Sequence, residues 1–166
     1  MTGKWQGKTR RIEHQGPNMT YRPSLSFLLS LYIAFVFVQS LFFKFTGSAE
    51  SIYIFSTLRD WSGISLFEPF GRWFIGSCEL VASILLFVPH ARIWGAGMAL
   101  AIISGAIVFH LFTPLGVEIL GDGGLLFAMA CGVWVSATTI LILNRKDVVS
   151  LLLFFSDRIF PRRSAS

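Results

Sequence analysis

RWFIGSCELVASILLFVP, residues 72–89, decides how this chain folds. From Trp73 to Pro89 the run is apolar or small except for Glu79. Such a stretch, about 72–88, reads as a membrane-crossing helix, at the short end of the ~20 residues such a helix needs. A carboxylate inside it is costly, so it calls for a partner and marks a candidate site. Arg72, Gly76, Glu79 and Ser83 follow one another at spacings of four, three and four, which places them on a single stripe of that helix.

Working outward, three more apolar runs appear. The first covers about 24–45, with Pro23 at its start where proline is tolerated; the others cover about 93–112 and 123–143. The whole chain has 166 residues, 54% of them hydrophobic and only 14% charged, with mean hydropathy +0.65. Soluble domains carry about 25% charged residues, so composition excludes an ordinary soluble protein. The expected fold is all-α: a four-helix membrane bundle over 24–143, preceded by a basic tail, 1–23, and followed by an amphipathic basic tail, 144–166. Arg10-Arg11 resembles a twin-arginine signal and Gly47-Ser48-Ala49 a cleavage site. The apolar stretch between them exceeds the 7–15 residues of a signal peptide, so it reads as a retained span.

The connections differ. Residues 46–71 form one long loop in which Ile52, Phe55, Leu58 and Trp61 recur every three positions and Ser48 is placed to cap, which predicts a short helix on the membrane surface. Pro89 to Arg92 is a tight turn. Residues 113–122 carry Glu118 and Asp122 but no lysine or arginine. The segment 144–161 has too short an apolar run to span and predicts an interfacial helix.

The net charge is +5, with the basic residues at the two ends and beside apolar runs, which argues against nucleic-acid binding. Eleven of the fourteen lysines and arginines fall on the side of the termini and the 89–92 turn; Lys44, Arg59 and Arg72 fall on the other. The positive-inside rule then predicts an inner-membrane protein with both termini cytoplasmic. Cys78 and Cys131 form no CxxC, and no metal-ligand spacing, nucleotide loop or nucleophile elbow is present.

Topology gathers the polar residues. Lys44 ends the first run, His110 nearly ends the third, and Glu79 lies deeper, all in the half away from the termini. Ser40 and Lys44 are i, i+4, with Gln39 adjacent. Ladders of small residues, Gly97–Ala101–Gly105 and Gly124–Ala128–Gly132–Ser136, predict close helix contacts. The remaining hydroxyls, Ser83, Ser104, Thr138 and Thr139, are of the kind a helix bonds to its own carbonyls. Glu79 and His110 are the candidate catalytic groups, and Lys44, Arg72 and Gln39 the candidate ligand-binding ones. A Lys44–Glu79 or Arg72–Glu79 pair that only fixes helix register is the competing reading.

These residues resemble a known family. Gln39-Ser40-Leu41-Phe42-Phe43-Lys44-Phe45 is similar to the end of the first helix of the DoxX family, Arg72 to Leu80 to the opening of its second, and Gly95 to Leu111 to its third. The resemblance implies a bacterial four-helix membrane bundle linked to thiosulfate:quinone oxidoreductase subunits and membrane oxidoreductase assemblies. Quinone is then the implied cofactor and an oxidoreductase subunit the implied partner, with an oligomer open. The related bundle of vitamin K epoxide reductase-like proteins uses a CxxC that this chain lacks. Two other function classes stay open: a non-enzymatic scaffold or chaperone-like subunit, and a small-solute transporter, the latter without the broken helices or inverted repeats common in such folds.

Overall fold

A computed structural model describes residues 22–150 and Leu153. The helices are α1 (Arg22–Thr46), α2 (Ala49–Ser62), α3 (Phe70–Phe87), α4 (Arg92–Phe112) and α5 (Leu125–Leu143), with a 3₁₀ turn at Ser65–Phe67. All but α2 are long and apolar enough to cross a membrane. The predicted spans are each found within two residues of their expected ends. Of the predicted C-terminal interfacial helix, residues 145–150 and Leu153 are helical, and its other residues beyond 150, like the tail up to Tyr21, lie outside the described residues.

The long helices run antiparallel in chain order, and each packs on its neighbours: α1 on α3, α3 on α4, α4 on α5, and α5 back on α1. The start of α1 and the end of α5 therefore share one end of the bundle, and α2 lies across the other. Only 28–33% of the most apolar stretch of each long helix is buried. The outward faces carry Phe35, Phe42, Phe74, Ile84, Val135 and Ile142, all exposed. Such a surface is unstable in water and matched to lipid, so the chain is a multi-pass membrane protein.

Local signals explain the turns. Gly47, at φ 70°, ends α1 in the left-handed conformation, and the Ser48 amide bonds back to the Phe43 carbonyl at 3.0 Å. Ser48 at once caps α2, its Oγ accepting the Ser51 amide at 3.3 Å. With so short a link, α2 must fold across the end of the bundle. Its buried residues are Ser51, Phe55 and Leu58; Ile52 and Trp61, predicted on the same face, are exposed, because a three-residue period drifts around a 3.6-residue helix.

The core is small side chains facing large ones: Ala82, Ala96, Ala99 and Ala137 against Ile33, Phe37, Leu86 and Ile140. The predicted small-residue ladders are only partly the packed faces. Gly97 and Gly105 border open space, and Ala101 and Ala128 are exposed. Gly132 does take part, lying against the Tyr32 ring. The closest approach of backbone to backbone is instead at Gly95, where an added Cβ would stand 2.7 Å from the Leu86 nitrogen and 2.9 Å from the Ala82 carbonyl oxygen. Periodicity located the ladders, but a helix in lipid uses small residues on its outer face too. The hydroxyls also divide: Ser83 and Thr139 bond their own helix carbonyls at 2.8 Å, Ser104 accepts from the Trp134 indole, and Thr138 has no partner.

Gly95→Ala is expected to lower stability by about 1–3 kcal/mol through overpacking. Gly97→Ala, where no atom stands within 4 Å of the new Cβ, is expected to cost nothing and to raise it by up to about 1 kcal/mol through helix propensity. Thermal unfolding of detergent-solubilised protein compares the two.

Candidate functional site

Glu79 lies at the middle of α3 and is 4% exposed. Lys44 lies on the last turn of α1, its side chain 13% exposed. Helical Cα–Cβ bonds tilt toward the helix N-terminus. In antiparallel α1 and α3 that tilt sends Lys44 down into the bundle and Glu79 up toward it. Lys44 Nζ donates to Glu79 Oε1 at 2.9 Å and Oε2 at 3.0 Å, and to Ser40 Oγ one turn below it.

Arg72 sits on the same stripe as Glu79 but takes a different partner. Its Nε and Nη2 hold both oxygens of Glu68 at 2.9–3.2 Å, and Nη1 donates to the Lys44 carbonyl. It thereby closes the C-terminus of α1 from the side of α3. Of the two pairs open from sequence, Lys44–Glu79 is the one that forms. Glu68 was not singled out from sequence, although its i, i+4 spacing to Arg72 is a signal for such a pair.

His110, on the last turn of α4, is buried, and its Nδ1 lies 2.5 Å from the Gly116 carbonyl oxygen. A carbonyl only accepts, so Nδ1 carries the proton and the Nε2 lone pair is free in the neutral ring. The Phe127 ring packs edge-on to the imidazole at 5.6 Å. The connection it anchors, 113–124, folds back over the bundle with Leu115 and Ile119 buried. Asp122 ties it down: Oδ1 accepts from the Ile119 and Gly124 amides at 2.8 and 2.9 Å, Oδ2 from Leu126 at 2.9 Å. An aspartate just before a span is a helix-start signal, and Asp122 was legible on that ground.

These groups enclose a cavity of about 620 Å³ at the α2 end of the bundle. Lys44, Glu79, His110 and Gln39 line it, with Ser40, Ser48, Glu50 and Asp122; most of the remaining wall is apolar, from all five helices and the 113–124 connection. Arg72 does not line it. Gln39 is exposed at its margin. Both cysteines are free thiols. No group of three or more His, Cys, Asp or Glu able to share a metal ion occurs among the described residues. The volume falls within the ~300–1,000 Å³ of small-molecule sites, and the lining has their usual form, apolar with few polar groups.

No protein-family model, curated protein or solved structure matches this chain. The resemblance to DoxX proteins stands on the motifs at 39–45, 72–80 and 95–111 alone.

Glu79→Ala leaves a largely buried ammonium without its counter-ion and is expected to destabilise the protein by about 3–5 kcal/mol, while the double variant Lys44→Met with Glu79→Leu is expected to recover most of that loss. A thermal-unfolding double-mutant cycle measures both.

The Leu126 amide first, and then those of Ile119 and Gly124 with His110 nearby, hold the Asp122 carboxyl below its usual value against the opposing effect of burial. A carboxyl depressed in the folded state adds stability above its unfolded pKa of about 3.9 and loses it as pH falls through the lower folded value. The stability gap between wild type and Asp122→Ala is therefore expected to be full at neutral pH and to narrow only in acid below about pH 4, as pH-dependent thermal melts report.

Proposed function

We propose that this chain is a membrane subunit of a quinone-linked oxidoreductase system, and that the cavity at the α2 end receives the quinone head group. The observation that carries the reading is an apolar chamber of about 620 Å³ whose polar lining includes a buried Lys44–Glu79 pair and a histidine. A quinone ring needs apolar walls on its faces and a few hydrogen-bonding groups at its carbonyls. The Lys44 ammonium is the donor suited to one carbonyl. The His110 Nε2 lone pair and the Glu79 carboxylate are the acceptors suited to quinol hydroxyl protons. Each quinone–quinol conversion moves two protons and two electrons; the electrons pass to or from a redox partner, and the protons exchange through these side chains. By the positive-inside rule the α2 end is the outer one, with both termini cytoplasmic.

A scaffold role is the second reading, and one observation favours it: Lys44 with Glu79, and Arg72 with Glu68, are already mutually satisfied. Mass spectrometry of lipids and proteins that copurify with wild type and with Glu79→Gln separates the two. The quinone reading expects quinone on the wild type and a roughly tenfold loss in the variant, about the value of one hydrogen bond to a charged group. Wild type free of quinone but bound to a stoichiometric protein partner overturns it in favour of the scaffold.

A further inference from the structure

We infer that the cavity is entered sideways from the bilayer, through a window between α3 and α4, and that its ligand carries a single apolar chain lying in that window. The inference deepens the reading above, resting on the cavity being a ligand site, and names the route and the part of the ligand that the polar groups do not hold.

Next to their connecting turn α3 and α4 nearly touch: an added Cβ on Gly95 would stand 2.7 Å from the Leu86 nitrogen. Ten residues further along α4, or ~15 Å, and on a face turned ~80° from Gly95, a Cβ on Gly105 meets nothing within 4 Å. The cavity reaches this gap, because Phe74 of α3 and Ala101 and Gly105 of α4 all line it. Phe74 and Ala101 are at the same time exposed on the outside of the bundle. The chamber and the exterior therefore meet there. Above the gap Phe67 and Phe109 form a roof, their rings packing edge to face at 5.9 Å.

The position of the window decides what passes. It lies beneath that roof, within the stretches of α3 and α4 that are long and apolar enough to sit in the membrane. What faces it is acyl chain, not water. The small side chains at 101 and 105 leave the width, and Phe74 supplies an apolar jamb. The Lys44–Glu79 pair lies inside. A molecule fitting both ends is an amphiphile with a compact polar head and one chain, of which an isoprenoid quinone is one source and a single-chain lipid another.

The test uses the full chain in lipid nanodiscs and two variants. Gly105→Leu fills the window. Gly97→Leu, also in open space on α4 but not lining the cavity, is the control. One probe is an isoprenoid quinone with a diazirine in its chain, the other a fatty acid with a mid-chain diazirine. Light-induced adducts are mapped by peptide mass spectrometry. Adducts are expected at the buried, cavity-lining Ile103 and Ala130 of wild type and Gly97→Leu, falling about tenfold in Gly105→Leu, an occupancy change of about 1.4 kcal/mol. Adducts in the cavity from the fatty acid alone, lost in Gly105→Leu, support the window and remove the quinone assignment. Adducts confined to lipid-facing residues, or cavity adducts equal in all three proteins, overturn the window.

Discussion

The Lys44–Glu79 pair is the constraint around which one end of this bundle is arranged. An ionised carboxylate midway along a helix in lipid is tolerated only with an opposite charge and hydrogen bonds close by. That requirement fixes which helices are neighbours, since Lys44 reaches Glu79 only if α1 and α3 pack antiparallel. It also fixes their register, because both side chains lean toward each other along the shared axis. Arg72 reinforces this by bonding the Lys44 carbonyl while gripping Glu68, so α1, the connector and α3 are tied together at one point. The two cations and two anions balance, so the cluster adds no net charge to a low-dielectric region.

The bundle has two unlike halves as a result. Near the 88–91 turn, the start of α1 and the end of α5 it is packed tightly, with alanines and Gly95 letting backbones approach; nearer mid-bundle Tyr32 lies against Gly132. At the α2 end the helices diverge, and the space between them is covered rather than filled. The short Gly47–Ser48 link lays α2 across part of it. The 113–124 connection, held by Asp122 and by the His110–Gly116 bond, covers another part. Two unrelated segments thus form the top of the cavity, each fixed by its own capping residue.

Much of this was legible from sequence because the bilayer imposes strict rules. Span length, the tight turn at Pro89 and the cap at Ser48 follow from local chemistry. The buried stripe of Arg72, Gly76, Glu79 and Ser83 follows from helical period and the cost of charge in lipid. The choice between Lys44 and Arg72 as the partner of Glu79 was not legible, because it depends on side-chain direction across an antiparallel pair and on Glu68 competing for Arg72. Nor were the packed faces of α4 and α5. In water an apolar side of a helix is a buried side; in lipid that inference fails, so Gly97, Ala101 and Ala128 read as contacts although they face outward or border space.

The saturation of the ion pair also limits what the cavity can hold. An ammonium has three N–H donors, and those of Lys44 face two carboxylate oxygens and Ser40. A ligand that relied on hydrogen bonds alone would have to displace one of these and would gain little, since the bond it made would replace a bond it broke. Net affinity must come from surface that is unsatisfied beforehand, which here is the apolar wall and the gap beside Gly105. A ligand in this cavity would accordingly be held by its apolar body and chain, and the polar cluster would act mainly by rejecting head groups that left Lys44 or Glu79 without a partner.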